Sequence, residues 1–247
     1  MTPLVAVAHG SRDPRSAATV AELLDVVRAR RPELDVHGAF LDLSSPLLTD
    51  VLARLHGEGH REVVVSPLLL GRAFHARVDL PALIDEACGR LPRLSVTVSD
   101  VLGPDARLEA AALRRLAETG VLPDDPAVGV VLAATGSSHA PANARVHEVA
   151  DRWARVMGWS GVRTAFASGT EPGVPAAMAA LRARGAERIA VASWFLAPGL
   201  LPDRVTAQAR AVDPDAVIAA PLGSAVEVAE LVLDRYDESR LASLRTA

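Results

Sequence analysis

The sequence predicts an α/β protein of two doubly wound lobes, each a parallel four-stranded sheet flanked by helices. Three observations support this. Short apolar runs alternate with longer segments of 3.6-residue period, the pattern of βα units around a parallel sheet. The strand-like runs, such as Val63-Val64-Val65, are apolar at nearly every position, as strands buried on both faces are. The two halves also register at an offset of 126 residues without a gap. Ala8-His9-Gly10-Ser11 falls on Ala134-Thr135-Gly136-Ser137, Phe40 on Phe166, Pro46 on Pro172 and Val65 on Val191.

In the first half the expected strands are 4–8, 36–41, 63–69 and 95–98, with helices at 15–30, 46–56, 78–89 and 107–118. Val20, Leu23, Leu24 and Val27 stand at i, i+3, i+4 and i+7, which gives the first helix one buried stripe. The turn residues of Gly120-Val-Leu-Pro-Asp-Asp-Pro126 read as a linker, dividing the chain into lobes 1–120 and 121–247. The pattern restarts with strands at 128–134, 162–167, 189–194 and 216–219 and helices at 142–157, 174–184, 202–211 and 224–237.

Composition narrows the function classes. Half of the 247 residues are apolar, enough for a substantial core and too many for a disordered chain. A net charge of −4 and eight aromatic residues argue against a nucleic-acid binder, which needs a basic face or stacking platforms. The lone cysteine, Cys88, excludes an internal disulfide, fits a reducing compartment and is expected to pack in a helix. No apolar run approaches the roughly 20 residues that span a bilayer. The N-terminus enters a strand with no signal-peptide pattern, so a cytoplasmic protein is expected. Neither GxGxxG nor GxxxxGK[ST] occurs, so no nucleotide loop is expected.

The candidate chemistry lies where strands end. In open parallel sheets, ligands bind outside the carboxyl ends of the strands. His9, Asp42 and His75 are all expected at or just beyond such ends, converging on one crevice. Gly10-Ser11 makes a tight turn into a helix that Asp13 caps and Pro14 opens, a natural anion site. A lone histidine is as often a packed or capping residue as a ligand. Two imidazoles and a carboxylate at neighbouring strand ends could instead hold a divalent metal and leave positions open to a substrate. Arg12, Arg72 and Arg77 flank the group and, with Ser11, would suit a substrate bearing several carboxylates. Ser44 and Ser45 stand closer than Asp42 for capping the second helix. His56, His60 and His147 read as solvated surface residues, His37 as the start of a strand, and His139 as part of a loop on the side of His9. At offset 126 the second half carries Thr135, Ser168 and Leu201 where the first has His9, Asp42 and His75. A single asymmetric reactive centre is therefore expected, with the second lobe as its wall or lid.

These residues resemble the sirohydrochlorin chelatase family, in its longer, duplicated form. The similar stretches are His9-Gly10-Ser11-Arg12-Asp13-Pro14, Phe40-Leu41-Asp42, Val64-Val65-x-Pro67-Leu68-Leu69-Leu70 and His75-x-x-x-Asp79-x-Pro81. The resemblance implies two flavodoxin-like lobes around a tetrapyrrole cleft, and a lyase that inserts Co²⁺ or Fe²⁺ into sirohydrochlorin for cobalamin or siroheme synthesis. It implies no organic cofactor and no ATP. His9 and His75 match the family's metal-binding, catalytic histidines, and Asp42 stands where members commonly carry glutamate. Leu102-Gly103-Pro104-Asp105 resembles the family's turn after the fourth strand, where some members have histidine in place of Asp105. The expected partners are the tetrapyrrole and the metal, in a monomer or homodimer.

Two other classes remain open on the sequence: a non-enzymatic metal or tetrapyrrole carrier using the same cleft, and a phosphoryl-transfer enzyme with His9 as nucleophile. Multiple turnover separates the first from an enzyme. The second lacks the Arg-His-Gly pairing and predicts a phosphohistidine.

Overall fold

The computed structural model describes residues 1–71 and 80–246. Its elements alternate throughout: β1 (Leu4–Ala8), α1 (Pro14–Arg30), β2 (Val36–Phe40), α2 (Leu48–Gly57), β3 (Glu62–Pro67), α3 (Leu80–Arg90), β4 (Ser95–Val98) and α4 (Ala106–Ala117). The second series is β5 (Val128–Ala134), α5 (Ala140–Val156), β6 (Gly161–Phe166), α6 (Val174–Arg182), β7 (Arg188–Trp194), α7 (Leu200–Val212), β8 (Val217–Ile218) and α8 (Val226–Thr246). Two parallel four-stranded sheets result, ordered β2-β1-β3-β4 and β6-β5-β7-β8. The fold class is the expected one.

In the first sheet β1 pairs with β2 from Leu4↔Val36 to Ala8↔Phe40, and with β3 from Leu4↔Val64 to Val7↔Pro67. The chain winds to one side of β1 and then to the other, which makes the end of β1 a topological switch point. All five β1 residues are buried, as the run of small and β-branched apolar residues demands. One face of the sheet is closed by α2 and α3: Leu48, Val51, Leu52, Leu55, Leu80 and Ile84 pack with Val5, Val7, Val63 and Val65. Cys88 packs against the same cluster. The α1 stripe of Val20, Leu23, Leu24 and Val27 is at most 2% exposed, each side chain contributing about 1.5–3 kcal/mol of burial.

The helix that closes the other face comes from the far end of the chain. The packed units are residues 1–107 with 223–247, and residues 108–222. Helix α8 lies against α1, β3 and β4. Tyr236 donates from its hydroxyl to the Thr2 carbonyl (2.7 Å), and Arg31 grips the Asp237 carboxylate through both terminal nitrogens (2.6 and 2.7 Å). Helix α4 packs in the second unit instead, where its Glu109 accepts hydrogen bonds from Arg152 and from the Trp153 indole. The expected divide at 120 therefore differs from the divide between packed units. The turn-rich stretch 120–126 is a connection inside the second unit, and the chain crosses over at 107–108 and 222–223.

Other boundaries shift for local reasons. Helix α2 begins at Leu48 rather than Pro46, because the Pro46 carbonyl accepts the Phe40 N–H (3.0 Å) and Leu47 bridges Phe40, keeping that stretch extended. Helix α8 runs well past 237, where Ser239 is buried and the Ser243 hydroxyl lies 3.2 Å from that of Thr97 in β4.

The repeat at offset 126 extends to backbone detail. Phe40 N–H donates to Pro46 O (3.0 Å) as Phe166 N–H does to Pro172 O (2.9 Å), and both Ser45-Pro46 and Glu171-Pro172 are cis. Gly10 (φ 100°) matches Gly136 (φ 86°), and Leu43 (φ 60°) matches Gly169 (φ 77°).

Candidate functional site

His9 is the first residue beyond β1, at the switch point, and is half-buried. Its Nδ1 is shielded from solvent. Strand pairing puts the end of β2 beside it, and two loops then lock together. The Leu41 and Asp42 N–H groups donate to the Ala8 and His9 carbonyls (2.9 and 3.0 Å). Gly10 is the contact point: a Cβ there would sit 1.7 Å from the Asp42 carbonyl oxygen. With φ at 100°, the position needs glycine for its conformation as well as for its space.

Ser11 and Ser44 form a second tie. The Ser11 N–H donates to Ser44 Oγ (3.0 Å), and that hydroxyl donates to the Ser11 carbonyl (2.9 Å). Ser44 thus braces the histidine loop instead of capping α2, whose N-cap, Leu47, has no side-chain bond. Ser11 Oγ in turn accepts the Asp13 N–H (3.0 Å), and Asp13 caps α1 through the Arg15 N–H (3.0 Å). Pairing with Arg15 holds the Asp13 carboxyl below its ordinary range. The Ser11 hydroxyl is thereby engaged in shaping the turn, with Arg12 exposed next to it.

Asp42 is exposed at the mouth of these loops, and its Oδ1 accepts the N–H of Leu43 (2.7 Å). The backbones of His9 and Asp42 are joined by the Asp42 N–H bond to the His9 carbonyl (3.0 Å). His75, Arg72 and Arg77 lie outside the described residues. Among the described residues no group of three His, Cys, Asp or Glu side chains is placed to hold a metal ion.

The remaining histidines divide. His147 is not a solvated surface residue: its Nδ1 is 2.6 Å from the Thr164 hydroxyl and its ring packs edge-on to Phe166, because α5 lies against β6. His56 and His60 are half-buried rather than fully solvated, His56 with its Nε2 enclosed. His37 Nε2 approaches Asp35 (2.8 Å) while Arg54 reaches its Nδ1 (3.1 Å). His139 occupies the N-cap of α5, where Asp13 stands in the first repeat, and makes no side-chain cap bond. Sequence reasoning overlooked Leu43 as a left-handed residue. The alignment of Leu43 with Gly169 was the signal that could have found it.

Asp105, in the turn after β4, is structural in this chain. It accepts the Arg107 N–H (3.0 Å), capping α4, and pairs with the guanidinium groups of Arg107 (3.0 Å) and Arg235 (3.6 Å). Burial pushes its carboxyl up, but the bonds and charge of the two arginines outweigh that and hold it below the usual 3.8.

Comparison with known proteins agrees with this architecture. The family model CbiX matches residues 3–119 and again 129–239. The chain is 25% identical over 211 residues to the sirohydrochlorin cobaltochelatase of Priestia megaterium, covering 83% of this chain and 67% of that protein. It is 24% identical over 219 residues to that organism's sirohydrochlorin ferrochelatase, covering 87% and 81%. The solved structure of SirB from Bacillus subtilis with Fe3+ superposes with a TM-score of 0.81 at 23% identity, over 97% of this chain and 96% of that one. That likeness extends the fold along nearly the whole chain. With residues 3–119 and 129–239 both matched by the family model, a parallel four-stranded sheet in each repeat and a histidine turn at the switch point of the first, the chain belongs to the CbiX family.

Proposed function

We propose that this protein inserts a divalent metal, Co²⁺ or Fe²⁺, into sirohydrochlorin, without ATP and without an organic cofactor. The observation that carries this reading is the half-buried imidazole of His9 at the switch point, in a loop braced against the one that presents Asp42, within a CbiX-family chain. Cobaltochelatase and ferrochelatase relatives support either metal. Imidazole suits both ions, so ligand type does not discriminate between them.

Metal insertion replaces two pyrrole N–H protons by one M²⁺, so the site must present a lone pair to the metal and accept protons. Neutral imidazole does the first, and His9 and His75 are assigned to the substrate metal. An imidazole or the Asp42 carboxylate does the second, acting as base while the metal enters. The two-loop brace fixes the backbone that carries His9, so little ordering of the loop remains to be done when the metal arrives. Arg12, Arg72 and Arg77 are assigned to the macrocycle's carboxylates. We place the enzyme in the cytoplasm, as a monomer or homodimer. Among the described residues no helix is long and apolar enough to cross a membrane.

The test is anaerobic incubation of the protein with sirohydrochlorin and Co²⁺ or Fe²⁺ side by side, following the macrocycle's absorption. Multiple turnovers without ATP are expected, whereas one equivalent of product would indicate a carrier. His9→Ala and His75→Ala should each lower the rate by about two orders of magnitude or more. Insertion at the wild-type rate by either variant would remove that histidine from the mechanism.

A further inference from the structure

We propose that Leu43 is a binding residue for the apolar face of the macrocycle, a proposal that rests on the chelatase reading above. Among the described residues it is the single non-glycine with positive φ, at 60°. The left-handed region disfavours a side chain with a Cβ and costs glycine nothing comparable. The second repeat shows the economical solution, with Gly169 at the same place (φ 77°). Leu43 therefore holds a strained backbone where glycine would fit.

The side chain is not drawn into the core in exchange: it remains 46% exposed and adds an apolar surface to the site mouth. Its position is not slack. The Leu43 N–H is held by Asp42 Oδ1 (2.7 Å), Ser44 N–H by the Asp42 carbonyl (2.7 Å), and Ser44 Oγ by Ser11. Strain and apolar exposure at one residue, next to Asp42 and braced against the His9 loop, are both unfavourable in the free protein. Strained residues concentrate where a ligand repays the strain. A flat conjugated ring with carboxylates on its rim repays it, because its face is apolar while its rim calls for arginine. Leu43 meets the face and not the rim.

Absorbance titration of metal-free sirohydrochlorin against wild type, Leu43→Gly, Leu43→Met and Leu122→Ala tests this. Leu122 is 61% exposed, far from these loops in sequence, and serves as the control. Leu43→Gly should weaken binding and raise KM about tenfold, as expected for losing about half of a buried leucine's contribution. Its kcat should stay within about twofold, since no reacting group has changed. Its thermal midpoint should equal or exceed that of wild type, because glycine relieves the strain. Leu43→Met should restore wild-type binding and Leu122→Ala should leave it unchanged. Wild-type affinity in Leu43→Gly, or an equal loss in Leu122→Ala, overturns the assignment of Leu43 while leaving the chelatase reading intact. A wild-type protein that neither binds nor metallates the macrocycle overturns both.

Discussion

Gly10→Ala should sever the tie between the His9 and Asp42 loops, and three glycines allow its cost to be apportioned. Gly59 has the same φ of 100° as Gly10, with nothing within 4 Å of an added Cβ. Gly59→Ala therefore costs only the left-handed strain, about 1–2 kcal/mol. At Gly10 the added Cβ would also lie 1.7 Å from the Asp42 carbonyl oxygen and 2.8 Å from its carbon. Both are backbone atoms that cannot swing aside, so the loops must part. That breaks the Asp42 N–H bond to His9 O and the reciprocal Ser11–Ser44 pair, at about 1 kcal/mol each. The total for Gly10→Ala comes to about 4–5 kcal/mol, or a fall in thermal midpoint of roughly 10–20 °C for a chain of this size. Gly136 is the internal control: its added Cβ would lie 2.0 Å from the Ser168 carbonyl oxygen, the same clash in the second repeat. Urea unfolding of the three variants, paired with metal insertion per folded molecule, reads both quantities. Gly10→Ala and Gly136→Ala should lose similar stability, and only Gly10→Ala should lose insertion. Equal activity losses in the two would refute the single-site reasoning. Stability equal to Gly59→Ala in Gly10→Ala would refute the packing argument.

Two further predictions follow from the crossing helices. Asp105 has its carboxyl held below 3.8 in the folded chain, so its contribution is present above that pH and is lost as pH falls through the lower folded value. Asp105→Asn keeps a helix cap but loses the charge, and should cost about 1–2 kcal/mol at pH 7 in thermal or urea unfolding. The gap from wild type should close as the pH is taken below about 4, and a gap that widens would contradict the assignment. A chain ending at residue 120 carries every first-repeat strand but lacks α8, whose Val228, Ala229, Leu231, Val232 and Tyr236 are at most 3% exposed. Burying four such larger side chains is worth about 1.5–3 kcal/mol each, comparable to the whole stability of a domain at about 5–15 kcal/mol. The truncated chain should show no cooperative unfolding transition, and a sharp calorimetric transition would show that α8 is dispensable.

Much of this molecule was legible in the residues. The strands are short and separated by amphipathic segments, and the central strands β1 and β5 consist of small and aliphatic residues buried at every position, the setting in which such strands are stable. The turn after β1 was equally readable, because Gly10, Asp13 and Pro14 each have a narrow conformational use, and each is used in that way. Ser44 was misread as a cap, since its true partner, Ser11, is 33 residues away and sequence spacing gives no sign of it. His147 was misread because an exposed-looking helix position becomes a half-buried one only when the strand it covers, β6, is known.

Local chemistry and the duplication thus settle the element types, the turn at His9 and the asymmetry between a repeat with His9 and Asp42 and one with Thr135 and Ser168. These depend on backbone preferences within a few residues and on the identity of aligned letters. Strand order, the brace between the His9 and Asp42 loops, the strain at Leu43 and the exchange of α4 and α8 were decided by tertiary structure. All but the strain at Leu43 pair groups that are tens to hundreds of residues apart. Only the packing surface of α1, β3 and β4, with Arg31 and the Thr2 carbonyl at its edge, selects where helix α8 goes.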